Sequence, residues 1–508
     1  MNIILIYQLL QKAVERIMAK KCHGQTVVHA PWGCAASSPG CLYFPAAATP
    51  KTEAGCINFI PNPSFETGLA SWLWNNASIS GANPFEGTQE ANLGPGAASL
   101  FRDIPIGSSS HPLFFSFNVF APEENINSGS LAAEILWLDR SRLPIATGLR
   151  LFIPEGRINN ASRITYFEAT DRPPSGTAWA RLQFSKGSGA LPDPVNLDQV
   201  ILARAHTPNL LQNPGFELGL AGWASISFVP DFAVPYEGAA QVHATDNGIL
   251  YQDVPLANLP ARTPLLLSFA VSGGQTDLSV QVLWLDEAGG QLEPPGIDLF
   301  ISGETLVAQR NNYLTYLDLT QPAPPGAAAA RVIFTDTIDK QTDIFLDKVI
   351  LLGAASANLL QNPSFEEGLD QWNAVNTASV PTGDAYEGNA VARIDAGGGL
   401  LYQEVELPSA AGRCFVLNFG YRSSSIGVDL SGNTLAEVQW LDSAGRELGT
   451  GLSLVVPSTS LRAQWLVYTG ITEPAPPNAV AARVKFTRSQ GSPEVIVEID
   501  KVVLGRLI

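Results

Sequence analysis

Charge is the first scarcity. Only 15% of the 508 residues are Asp, Glu, Lys or Arg, against roughly 25% in an ordinary soluble domain. Lys and Arg number 30 against 47 Asp and Glu, a net charge of −17. The basic surface that phosphate backbones require is therefore missing, and nucleic acid is excluded as a partner. Methionine (2) and histidine (5) are nearly absent. None of the histidines, His23, His29, His111, His206 and His243, recurs at matched positions of the repeat set out below. There is no G-x-S-x-G, no H-E-x-x-H and no phosphate loop. A glycosidase would need two carboxylates across a cleft, and the acids that recur here have structural explanations. An enzyme is not expected. No apolar run is long enough to span a membrane. The apolar residues among 1–21 are interrupted by Gln8, Gln11 and Lys12 and follow no positive segment, unlike a secretory signal; Met18 is an alternative start.

Glycine (45) and proline (37) are plentiful, and both interrupt helices and punctuate strands. The length predicts three domains or slightly more. Residues 1–56 differ from the rest. They carry Lys12, Arg16, Lys20, Lys21 and Lys51 against Glu15 and Glu53, hence +3, and so −20 remains for the body. They also hold Cys22, Cys34, Cys41 and Cys56, four of the five cysteines.

The body is one unit written three times. Asn58 to Trp72 reads NFIPNPSFETGLASW, Asn209 to Trp223 reads NLLQNPGFELGLAGW, and Asn358 to Trp372 reads NLLQNPSFEEGLDQW. Phe85-Glu86-Gly87 answers to Tyr236-Glu237-Gly238 and Tyr386-Glu387-Gly388. Leu100-Phe101-Arg102-Asp103 answers to Leu250-Tyr251-Gln252-Asp253 and Leu401-Tyr402-Gln403-Glu404. Trp137, Trp284 and Trp440 each precede Leu-Asp, and a Pro-Pro turn leads to Arg181, Arg331 and Arg483. Each copy closes on Asp-x-Val at Asp198, Asp347 and Asp500. Leu113–Phe120, 265–271 and 416–421 alternate large apolar with smaller or polar residues, the period of a half-buried strand. The chain is therefore expected to be all-β: three tandem jelly-roll β-sandwiches at 57–205, 206–355 and 356–508, behind a non-repeat N-terminal tail at 1–56. With almost no linker between copies, a stiff rod is expected.

Phe65, Phe216 and Phe365 are candidate core plugs, each worth about 1.5–3 kcal/mol on burial. Gly68, Gly219 and Gly368 permit a turn with positive φ before the Trp. The recurring Trp residues and Tyr166, Tyr316 and Tyr468 read as core rather than as exposed sugar platforms. Arg181, Arg331 and Arg483 read as partners of acidic neighbours.

The opening N-x-x-x-N-P-x-F-E-x-G-L-x-x-W with the closing D-x-V strand resembles carbohydrate-binding-module and galactose-binding-like jelly rolls. More narrowly it is similar to β-sandwich domains of Firmicute surface proteins, often placed ahead of collagen-like repeats, although no Gly-X-Y tract is present here. The resemblance implies a structural Ca²⁺ held by the first-strand Glu and last-strand Asp: Glu66 with Asp198, Glu217 with Asp347, Glu366 with Asp500. Hard oxygen ligands suit that ion; the other reading is that these acids cap turns or pair with Arg. Glu86, Glu237 and Glu387 join the metal shell or bond turn amides.

Cys22, Cys34, Cys41 and Cys56 are candidates for disulfide cross-linking within or between subunits, with free thiols or zinc as alternatives. No C-x-x-C spacing supports zinc. Cys414 reads as a small buried hydrophobe. The resulting expectation is a non-enzymatic extracellular, cell-surface or spore-surface structural protein, a self-associating fibre or coat subunit of Ca²⁺-stiffened sandwiches. The alternative is a surface adhesin that binds glycans, and a third reading is an accessory part of a glycosidase system.

Overall fold

The computed structural model describes residues 56–508, apart from 108–109, 123–127, 161, 190–192, 310–311, 337–342, 408, 424–431, 459–462 and 492–494. Residues 51–508 form one compact unit. Among the described residues nearly all regular structure is antiparallel strand, with one short helix at Gly303–Ala308. In the first repeat an outer sheet runs in the order Leu73–Asn75, Ala98–Pro105, Trp179–Lys186, Leu131–Leu138, Pro144–Ile153. Facing it lies an inner sheet ordered Ala77–Ser80, Glu90–Leu93, Val195–Arg204, Leu113–Phe120, Ile164–Ala169. The third repeat copies both sheets strand for strand. In the second, Gln241–Pro255 is one 15-residue strand that serves both layers, so the two sheets join into one of eight strands.

Outer strands behave as the alternation requires. Along Trp179–Lys186, Ala180, Leu182 and Phe184 point into the core while Arg181, Gln183 and Ser185 face outward. Phe65, Phe216 and Phe365 are fully buried, and Gly68, Gly219 and Gly368 hold φ of +72°, +61° and +70°. Trp137, Trp284 and Trp440 lie in the cores.

The inner sheets depart from the expectation. Leu113–Phe120 is buried at every position, not on alternate ones, and so is Val416–Ser423. The reason is a second covering layer. The strands Ile164–Ala169, Leu314–Leu319 and Leu466–Ile471, one per repeat, pack against one another. Thr165 Oγ1 donates to the Val467 carbonyl at 2.7 Å, and Thr315 Oγ1 donates to the Thr165 carbonyl at 3.1 Å. The three sandwiches thus close into a ring about these strands, and the stiff rod expected from short linkers is not formed.

Each joint of the ring is built the same way. The Tyr236 ring stacks on Tyr166 at 4.3 Å, Tyr386 on Tyr316 at 4.4 Å, and Phe85 on Tyr468 at 4.1 Å. The hydroxyls of Tyr166, Tyr316 and Tyr468 donate to the carbonyls of Tyr236, Tyr386 and Phe85 at 3.2, 2.7 and 2.9 Å. The amides of Gly238, Gly388 and Gly87 donate to the carbonyls of Phe152, Phe300 and Val455 on the preceding sandwich. Aromatic-Glu-Gly, read from sequence as a local turn, is the docking loop of every repeat.

Candidate functional site

Two constellations recur in all three repeats: the acids around the docking loop and an outward-facing group on the outer sheet. In the first, Asp198 Oδ2 accepts from the amides of Phe85 and Glu86 at 2.8 and 3.0 Å. Glu66 Oε1 accepts from the amides of Thr88 and Gln89, both at 2.8 Å. Asp347 and Glu217 hold Tyr236 to Ala240 in the same manner, and Asp500 and Glu366 hold Glu387 to Ala390. One acid grips the start of the loop and the other its end. Gly87 sits between them at φ +71°, where an added Cβ would lie 2.5 Å from the Glu66 carboxylate; the glycine is required twice over.

Burial pushes the Asp198, Asp347 and Asp500 carboxyls well above the usual range. Their oxygens point at N–H donors, and among the described residues no group of three His, Cys, Asp or Glu is placed to hold a metal ion. In each of the six acids that the resemblance implies as calcium ligands, one carboxylate oxygen is turned to the loop's backbone N–H donors. They are loop clamps. Glu86 and Glu387 act across the joints, and Glu237 holds, within its own repeat, the ammonium that reaches Glu168 of the first. Glu86 Oε1 accepts from the Val455 amide at 2.7 Å, and Glu387 Oε1 from the Phe300 amide at 3.3 Å. Glu237 takes Lys348 Nζ at 3.0 Å.

Of the candidate cross-linking residues, Cys22, Cys34 and Cys41 lie outside the described residues. Cys56 forms a disulfide with Cys414 (Cα–Cα 5.5 Å), joining the entrance of the first repeat to the third. Cys414 is buried as expected, but as half of a cystine rather than as a lone hydrophobe.

The second constellation lies on the outer sheets. Along Ala98–Pro105, Leu100 is buried in the core while Phe101 faces out, half-buried. Tyr251 and Tyr402 occupy the equivalent places. Beside each ring stands an arginine: Arg181 with its guanidinium carbon 5.0 Å from the Phe101 centroid, Arg331 4.3 Å from Tyr251, and Arg483 5.2 Å from Tyr402. Each arginine is held by a carboxylate on the aromatic's own strand. Arg181 Nε and Nη2 bond Asp103 at 2.6 and 3.0 Å, and Arg331 bonds Asp253 at 2.6 and 2.8 Å. Arg483 bonds Glu404 at 2.9 and 2.5 Å. The expectation that these arginines satisfy acids holds. What the sequence reading missed is the aromatic neighbour, although its signal was there: an aromatic two residues before an acid, in all three copies, on an alternating strand.

Such a group offers a part-exposed π face and edge, spare N–H donors on a fixed guanidinium, and carboxylate acceptors. An aromatic edge beside fixed polar groups is an arrangement that can recognise a ligand. The first repeat extends it, because Arg142 stacks over Trp179 at 4.3 Å and reaches Asp103 at 3.9 Å. Ala329 and Ala481 stand in place of Trp179 in the other copies.

No protein-family model matches the chain, and no curated protein matches it. Among solved structures it is similar to the tandem CBM22-1-CBM22-2 domain of Paenibacillus barcinonensis Xyn10C, with 10% identity over 59% of this chain and 99% of that one, TM-score 0.25. It is similar also to TmCBM61 in complex with β-1,4-galactotriose (22% identity, 30% of this chain and 99% of that one, TM-score 0.23). A third is the family 16 carbohydrate-binding module-2 (18% identity, 29% and 99%, TM-score 0.23). These neighbours are carbohydrate-binding modules; at such scores neither their ligands nor their roles carry over to this chain.

Proposed function

We propose that the protein is a non-enzymatic, surface-located glycan-binding protein that presents three recognition faces on one closed ring. The observation that carries this reading is the threefold recurrence of an outward aromatic–arginine–carboxylate group on the outer sheet. Its arginine–carboxylate pairs tie adjacent strands, but neither core stacking nor docking between repeats covers its outward face, which stays open to a ligand. A sugar ring offers an apolar C–H face to Phe101, Tyr251 or Tyr402 and hydroxyls to the adjoining carboxylate and guanidinium. Three weak sites on one body gain by avidity on a surface that repeats the same glycan. The Cys56–Cys414 disulfide supports an extracellular setting, where such bonds persist.

The test is binding of the full chain to a panel of immobilised neutral glycans, beside the variant Phe101→Ala/Tyr251→Ala/Tyr402→Ala. Binding that the triple variant loses, with its thermal midpoint retained, is expected. Wild-type protein that captures no glycan, or a triple variant that binds equally well, would overturn the reading.

A further inference from the structure

The ring has one joint unlike the others. Two joints connect consecutive repeats and stay tethered through the chain whatever their contacts do. The third, between the Phe85 loop and the Tyr468 face, joins the first repeat to the last and can part without breaking the backbone. In the first joint, Lys348 Nζ lies 2.6 Å from Glu168 and 3.0 Å from Glu237; in the second, Lys501 Nζ lies 2.9 Å from Asp318 and 3.6 Å from Glu387. Matched positions at the third are Gln199 and Gly470, which form no ion pair. Gln199 Oε1 accepts from the Thr469 amide at 3.4 Å, and its Nε2 has no hydrogen-bond partner among the described residues. Phe85 lacks the hydroxyl with which Tyr236 and Tyr386 donate to the carbonyls of Thr165 and Thr315. The Cys56–Cys414 disulfide bridges the same two repeats.

All three joints are heterologous, loop against face, so the loop of one molecule's first repeat is complementary to the face of another molecule's third. Heterologous contacts close into rings or propagate into open chains, according to which partner each surface meets. We infer that this seam is an exchangeable interaction surface whose alternative partner is a second copy of this chain, and that the Cys56–Cys414 disulfide selects the intramolecular partner. A dithiol that reduces the cystine to two thiols, and is itself oxidised to a cyclic disulfide, frees the surface for head-to-tail association. This inference is independent of glycan binding.

Sedimentation velocity across a wide concentration series tests it, on the full chain with and without dithiothreitol and on Cys56→Ser/Cys414→Ser in the reductant. The oxidised protein is expected to hold one sedimentation coefficient in its monomer fraction. Both reduced samples are expected to show a weight-average mass that climbs with concentration to dimers and beyond. Adding Tyr468→Ala to the double variant should return it to monomer, with its far-ultraviolet dichroism unchanged. Reduced protein that stays monomeric and equally compact at every concentration would overturn the inference. Association that survives Tyr468→Ala would place the contact elsewhere and overturn it too. Loss of the β dichroism on reduction would show that the disulfide holds the fold rather than chooses a partner.

Discussion

The tethered joints and the seam do the same mechanical job with different chemistry. At the first joint one ammonium, Lys348, faces Glu168, Glu237 and the buried Asp347. The arrangement is high-stakes: complete, it fixes the register of two sandwiches; broken, it leaves buried charge without a counter-ion. The seam places a neutral amide and a glycine there and adds a covalent bond. Chain connectivity supplies the effective concentration for the first two joints, whereas closing the third must offset the entropy of bringing distant segments together. Cystine between residues 358 apart in sequence lowers that cost by constraining the open state.

The largest expected effect is asymmetric. Lys348→Ala strands three buried carboxyls and should lower stability by about 3–5 kcal/mol, read as a fall in the guanidinium chloride midpoint. Gln199→Ala at the seam should cost under about 1 kcal/mol; equal losses would erase the distinction. A sharper version transplants the ion pair. Gln199→Lys alone places an ammonium beside Glu86 and Asp198 without a counter-charge from the facing repeat, and Gly470→Glu added to it should supply that partner and recover about 1–3 kcal/mol as coupling energy in a double-mutant cycle. The nearest atoms to a new Cβ at Gly470 are the branched end of the Leu452 side chain, at 2.7–3.3 Å, which must shift to admit it.

A third effect is a slope with pH. Burial pushes Glu168 up to about 7, against the pull of Lys348, and raises Asp198, Asp347 and Asp500 in the same direction. A carboxyl whose folded pKa exceeds its unfolded one binds protons more tightly in the native state, so stability is gained on acidification through that window and lost as pH rises. The thermal midpoint should therefore be higher at pH 5.5 than at pH 8, and Glu168→Gln should flatten the slope. A midpoint that rises with pH over this range would contradict the burial account. The smallest expected effect is that of calcium: because the clamp acids are already bonded to amides, adding Ca²⁺ or a chelator should leave the midpoint unchanged, and a clear rise with Ca²⁺ would restore the metal role.

Much of each repeat was legible because its signals are local. Phe65, Phe216 and Phe365 fill cores as their block suggests, and the Arg181–Asp103 type of pair follows from period-2 spacing on adjacent strands. The ring was not legible, for a physical reason: Tyr166, Tyr316 and Tyr468 are buried by a neighbouring sandwich, and a single repeat's periodicity carries no record of what covers it. The same blindness made Leu113–Phe120 read as half-buried. One clue was available. Lys348 and Lys501 follow the closing Asp inside apolar strands, and an ammonium there needs a counter-charge from somewhere else. Its replacement by Gln199 in the first copy already marked one joint as different.

Small-angle X-ray scattering of the oxidised full chain tests the closed ring most directly. Three sandwiches packed around a common centre give a radius of gyration of about 25 Å, while the same three end to end give about 35 Å, from the usual size scaling of compact domains. The compact value with a short maximum dimension is the expected result, and the extended value would contradict the ring.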